Sequence, residues 1–189
     1  MASRNSSPSG SIRSARAEKS KRNSMWILEG KERSEAEAYI REAASCARYS
    51  GCDDARCGAV IVRNGEIIGR GFNAPPAGSS TKRCHVPKTR YHAKVTDKTC
   101  CIHAEVRAIH DALRSSPDRL LGSDLYFVRV DEYGEPKRSG APYCTLCSKL
   151  SLDVGIAAFH LFQEEGIVGY PADEYNERSF AYTDYPIAR

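Results

Sequence analysis

The stretch GAVIVRNGEIIGRGFN, residues 58–73, places two apolar runs on either side of Asn64-Gly65. Asn and Gly tolerate positive φ at both central positions, so this pair closes a two-residue hairpin whose twist suits its strands. Strands are expected over about Ala59–Arg63 and Glu66–Gly71. Helical patterns lie on both sides. Upstream, Ser34 followed by Glu37 fits a capping box, and Tyr39, Ile40, Ala43, Cys46 and Ala47 recur at helical spacing, which predicts a helix over about Ser34–Tyr49. Downstream, a helix is expected to begin near Cys101, with Val106, Ile109, His110 and Leu113 inward, and to end before Pro117.

Residues 125–130 (LYFVRV) read as a third strand and 131–142 as its loop. Residues 143–154 (YCTLCSKLSLDV) read as a helix stopped near Gly155, and 156–162 (IAAFHLF) as a fourth strand. The remainder, with Pro171, is expected to be a short helix and a tail. Alternating helices and strands indicate an α/β sandwich, one sheet with helices against its faces.

The chain's 189 residues suit one domain with a full core. Its net charge of +4 is concentrated at the start: Arg4, Arg13, Arg16, Lys19, Lys21 and Arg22 stand against Glu18 alone in residues 1–24. That Ser-rich segment has almost nothing to bury, so it reads as a disordered basic tail, with one folded domain over residues 25–189. Its composition is also that of an organellar transit peptide, but it shows no apolar face. No secretory h-region or bilayer-length apolar run is present, so the expectation is a cytoplasmic chain without a membrane partner. The eight cysteines are then expected as reduced thiols or metal ligands.

The chemistry resides in His103-Ala104-Glu105 at one expected helix start and Pro142-Tyr143-Cys144-Thr145-Leu146-Cys147 at the next. A catalytic zinc takes three protein ligands and keeps a fourth position for water; His103, Cys144 and Cys147 form such a set. A helix N-terminus stabilises thiolates there. Glu105, beside the metal but not on it, can take the water's proton and deliver it to a leaving amine. Alone, Cys-x-x-Cys could arise by chance or serve as a redox pair, and His-x-Glu could be a capping His and a solvated acid. Their conjunction is the signature of zinc deaminases.

On these residues the chain resembles the cytidine/deoxycytidylate deaminase superfamily over roughly Ser34–Ile167. The hairpin and its Gly-x-Asn-x-x-Pro turn, with CSKLSLDVGI after the second metal cysteine, are similar to the deoxycytidylate deaminase branch. The resemblance implies a three-layer α/β/α sandwich with a central mixed sheet and helices on both faces. It implies Zn²⁺ on His103, Cys144 and Cys147, proton transfer by Glu105, the Asn73 turn against the substrate's sugar, and the Ala104 N–H helping to hold the base. It also implies a homo-oligomer. The chain departs from the pattern twice: Tyr143 separates Pro142 from Cys144, and Arg107 stands where the branch commonly has Asn.

The expected activity is hydrolytic conversion of cytosine to uracil in a free nucleotide, deoxycytidylate or cytidylate, with a nucleoside as the related small-molecule partner. A deaminase acting on a base in RNA or single-stranded DNA is the alternative, favoured by the basic tail but not by the near-neutral remainder. A non-catalytic zinc module leaves Glu105 without a role. The long loop at 74–99 carries Lys82, Arg83, Lys88, Arg90, Lys94 and Lys98, which would attract a phosphate. Cys84, His85, His92, Cys100 and Cys101, there and just beyond, are candidates for a second, structural metal. Cys52 and Cys57 read as reduced thiols, and His110 and His160 as satisfied core or edge residues. Tyr170, Tyr175, Phe180, Tyr182 and Tyr185 read as packing of a terminal helix.

Overall fold

The computed structural model describes residues 24–52, 55–78 and 86–182. The basic tail, apart from Ser24, lies outside the described residues, as do Lys82, Arg83, Cys84, His85 and Tyr185. The elements are β1 (Trp26–Ile27), α1 (Gly30–Ala47), β2 (Arg56–Arg63), β3 (Glu66–Phe72), α2 (Ala104–Ser115), β4 (Asp124–Val130), β5 (Pro136–Lys137), α3 (Thr145–Asp153), β6 (Ala158–Gln163), β7 (Gly166–Pro171) and α4 (Ala172–Phe180).

The expected hairpin forms. Asn64 and Gly65 take φ of 52° and 83°, the double positive that this turn requires. Strand order is β1-β7-β6-β4-β2-β3, with β5 on the end of β4. Only β4 and β6 run parallel, which makes the sheet mixed. Because strand side chains alternate between faces, β2 feeds two cores. Val60 and Val62 pack with Ile40, Ala43 and Ala44 of α1 on one face. Ala59 and Ile61 pack with Ala108, Ile109 and Ala112 of α2 on the other, where Tyr175 of α4 and the partly buried Leu150 of α3 also lie. The molecule is a three-layer α/β/α sandwich with one helix on one face and three on the opposite face.

Several boundaries differ from the sequence reading. Helix α1 begins a turn earlier, at Gly30, and Ser34 sits inside it, its hydroxyl donating to the Gly30 carbonyl rather than capping. Glu37 instead accepts from Arg33 one turn back, at 2.9 Å. Residues 166–171, expected as part of a helix and tail, form β7, which pairs with β6 across the turn at Glu164-Glu165. Helix α2 buries Ile109 as expected, but its inner face turns toward Ala104, Ala108 and Ala112, which are buried, whereas His110 and Leu113 are exposed.

The rotation follows from glycines on β3. A Cβ on Gly69 would come 2.4 Å from the Ala108 carbonyl, and one on Gly71 would come 2.2 Å from that of Ala104. Small residues on both surfaces therefore let helix and strand approach closely, closer than Val106 and Leu113 would allow. Side chains of α2 also reach the open edge of β3: Asp111 accepts from the Arg70 N–H, and Ser115 donates to the Ile68 carbonyl. These contacts mask edge groups that could otherwise pair with another chain.

Gly58 makes the matching approach to α1, where a Cβ would fall 1.8 Å from the Ala43 carbonyl. Gly58→Ala is expected to lower the unfolding free energy by about 2–3 kcal/mol through forced separation of α1 from the sheet. Gly140→Ala, with nothing within 4 Å of the added carbon, is the control. Equal urea midpoints for the two variants would contradict this account of the packing.

Candidate active site

Two helix starts meet at one point. His103 is the N-cap residue of α2 and Cys144 that of α3, with Cys147 in the first turn of α3. His103 Nδ1 lies 3.2 Å from Cys147 Sγ and 3.3 Å from Cys144 Sγ. The three ligand atoms lie within 4.8 Å of one another, the sole such group among the described residues. Zinc with ordinary Zn–S and Zn–N bonds in a tetrahedron holds sulfur and nitrogen about 3.6 Å apart. The cluster fits that ion after an outward shift of a few tenths of an ångström. Its one nitrogen and two sulfurs are a donor set zinc favours, and three ligands leave a coordination position open.

The same three atoms are joined by hydrogen bonds. The hydrogen bond from Cys147, assisted by His103, brings the Cys144 thiol down to about 4. Its hydrogen bond with Cys144 pushes His103 up to about 9, with burial opposing and Glu105 assisting. Cys147, which shares its hydrogen with Cys144 and is fully buried, is raised. A cation in this pocket would replace those protons, because thiolates and neutral imidazole are the ligating forms.

Glu105, 5% exposed, stands in the first turn of α2. Burial raises its carboxyl above the usual range, while His103 pulls it down. Burial outweighs the opposing pull of the imidazole and of the backbone at the helix start. Ala104 is completely buried, and its N–H is among the first-turn donors for which a helix supplies no partner. Tyr175, with its ring stacked on Phe159 at 3.9 Å, lies in the buried surroundings of Glu105, Cys144 and Cys147.

Asn73 is buried, and its amide holds neighbouring backbone in place. Oδ1 accepts from the Cys57 N–H at 2.8 Å, Nδ2 donates to Ala55 O at 2.7 Å, and Ser50 Oγ lies 2.7 Å from Oδ1. The turn itself is tied to Ile102, the residue before His103, by a two-way bridge, Ala74 N to Ile102 O at 3.3 Å and Ile102 N to Ala74 O at 2.9 Å. Ser50 escaped the sequence reading, since nothing local marks a Ser at the end of a helix as a partner of a residue 23 positions on. Tyr143, the residue inserted before Cys144, is half-exposed, and its ring lies 5.6 Å from that of Tyr182. Burial, with Glu105 assisting, pushes the Tyr143 phenol up to about 12.

The other candidates fall elsewhere. Of the proposed second-metal residues, His92 Nδ1 accepts from the Lys94 N–H, Cys100 is disulfide-bonded and Cys101 is a free buried thiol. The described members form no ligand cluster. Lys88, Arg90, Lys94 and Lys98 are exposed or half-exposed on the long loop. His160 is buried, stacked on Tyr126 at 4.3 Å, and makes no hydrogen bond through either ring nitrogen among the described residues; its Nε2 lies 3.9 Å from Asp124. The expectation of a satisfied His160 therefore gives way to an aromatic contact. Among the described residues no helix is long and apolar enough to cross a membrane.

Comparison with known proteins places this geometry. The chain is 28% identical over 127 residues to a deoxycytidylate deaminase of Mycobacterium phage D29, a match covering 64% of this chain and 88% of that one. It is 33% identical over 85 residues to a deoxycytidylate deaminase of Schizosaccharomyces pombe, covering 41% of this chain and 26% of the relative. Among solved structures it is similar to a dCMP deaminase from the cyanophage S-TIM5, with 27% identity, 66% of this chain and 79% of that chain covered, and a TM-score of 0.47. The family model described as the cytidine and deoxycytidylate deaminase zinc-binding region matches residues 33–163, which include both helix starts and the hairpin. The chain thus belongs to the cytidine and deoxycytidylate deaminase family and is a zinc-dependent hydrolytic deaminase.

Proposed function

We propose that the protein deaminates the cytosine of a free pyrimidine nucleotide, deoxycytidylate or cytidylate, with His103, Cys144 and Cys147 holding the zinc. The observation that carries this reading is a buried carboxyl, Glu105, two residues from one member of a compact Cys₂His cluster. Both curated relatives described above bear the name of the deoxycytidylate enzyme. Exposed Lys88, Arg90 and Lys94 on the long loop suit a phosphate-bearing substrate.

Held by His103, Cys144 and Cys147, zinc would supply Lewis-acid activation of a water molecule. Glu105 would take a proton from the attacking water as the water's oxygen bonds to C4 of the base, and pass it to the ring nitrogen. The amine would leave as ammonia after the same carboxyl moves to it the proton of the new C4 hydroxyl, which becomes the carbonyl, so cytosine and water become uracil and ammonia. Ala104 offers its first-turn N–H to the base. The low exposure of Ala104, Glu105 and Cys147 limits bulk water around the reacting carbon. Asn73, through its bonds to residues 55 and 57, shapes the turn that would face the sugar.

The test is ammonia release by zinc-loaded protein from cytosine, cytidine, deoxycytidine, cytidylate and deoxycytidylate in parallel. Turnover confined to the monophosphates is the expected outcome. Turnover of an oligonucleotide alone, weakening steeply with salt, would replace this reading with the nucleic-acid one. A homo-oligomer belongs to the same proposal, supported by exposed Leu146, Leu152 and Phe180 on α3 and α4. Light scattering showing one chain per particle at working concentration would remove it.

A further inference from the structure

Arg107 departs from the residue type expected at its position, and the structure gives its guanidinium specific partners. It lies two residues after Glu105 on α2, and its backbone N–H donates to the His103 carbonyl at 3.1 Å. Its Nη2 reaches across to the turn after β3, donating to Pro75 O at 2.9 Å and Ala74 O at 3.3 Å. The guanidinium carbon is 5.7 Å from the centre of the Phe72 ring, beside a cavity of about 590 Å³ that Arg107 also lines. Asn, with a much shorter side chain and a neutral amide, could not span this gap or offer a charged donor to two carbonyls.

The same turn is held from its other side by Asn73, through Ala55 and Cys57, and beneath by the Ala74–Ile102 bridge. Residues 73–75 are therefore suspended between the strand end that leads to β2 and the helix that carries His103 and Glu105. Only Arg107 joins this turn to α2 itself by a side chain among the described hydrogen bonds.

We propose that Arg107 is a positioning residue: by clamping the carbonyls of Ala74 and Pro75 it sets the turn that receives the substrate's sugar at a fixed distance from Glu105. This rests on the nucleotide-deaminase reading above. The clamp acts on binding geometry and not on proton transfer. Its loss shows in KM more than in kcat.

The experiment compares wild type, Arg107→Met and Arg107→Lys, each zinc-loaded, by steady-state kinetics on deoxycytidylate and by amide hydrogen exchange. Arg107→Met is expected to raise KM roughly tenfold, the equivalent of one charge-assisted hydrogen bond, while kcat moves less than about threefold. Exchange of the Ala74 and Ile102 amides is expected to accelerate while α1 and β6 stay protected, and Arg107→Lys should recover part of both effects. Unchanged KM with unchanged exchange would overturn the proposal. So would a kcat loss accompanied by faster exchange throughout α2, which would make Arg107 a general structural residue. If wild type turns over no cytosine nucleotide, the substrate reading has failed, and exchange at Ala74 and Ile102 alone decides whether Arg107 holds the turn.

Discussion

Replacing Glu105 by Gln is expected to reduce turnover by about 10²–10⁴-fold, the range for loss of a positioned acid–base group, with zinc retained. Gln keeps the shape and the hydrogen-bonding reach of the side chain but cannot accept and release a proton. The position is unforgiving because Glu105 is buried in the first turn of α2, facing His103, Cys144 and Cys147. Stability should hold or rise, since the substitution removes a carboxyl whose burial disfavours its charged form. Ammonia release and metal content, measured on the same preparation, decide the matter. Turnover within tenfold of wild type, zinc bound, would remove Glu105 from the mechanism.

Cys147→Ser should empty the metal site. Cys147 is completely buried in the first turn of α3, and its sulfur lies 3.2 Å from His103 Nδ1. Losing an outer partner of a ligand already costs 10–100-fold in affinity, so loss of a thiolate ligand should exceed about 100-fold and leave the purified protein with little zinc. Turnover should then fall to the level of the blank. Cys46→Ser supplies the comparison: Cys46 is a half-buried thiol on α1, on the opposite face of the sheet. A Cys147→Ser protein that holds one zinc per chain and retains turnover would mean that the ion sits elsewhere. Zinc uptake should also weaken as pH falls, because protons compete for both thiolates and the imidazole.

How far the chain can be read without its fold differs from feature to feature, and the reason is range. Asn64-Gly65 closes its hairpin through the dihedral freedom of two residues, and Gly155, at φ 80°, ends α3 for the same kind of reason. Cys144 and Cys147 are brought together by one helical turn, so their pairing was legible in four letters. The spacing of His103 from Glu105 is equally local. The α/β alternation and the residues of the Cys₂His cluster could thus be named from sequence pattern and resemblance.

What depended on tertiary structure involves residues far apart in the chain. His103 and Cys147, 44 positions apart, come within 3.2 Å only because α2 and α3 pack on the same face of the sheet. The periodicity of α2 predicts Ile109 inward but not the rest of the face, since Gly69 and Gly71 on β3 select the alanine stripe by permitting close approach. Strand β7 gave too short an apolar run to declare itself, and it exists because β6 and β1 supply hydrogen bonds on both sides. Arg107 is only a departure in the sequence, and the fold gives it the carbonyls of Ala74 and Pro75 as partners. Backbone dihedral preferences and helical spacing act within a few residues and are written into the local sequence. Burial and the choice of hydrogen-bond partner are set by whichever surfaces the completed sheet brings into contact.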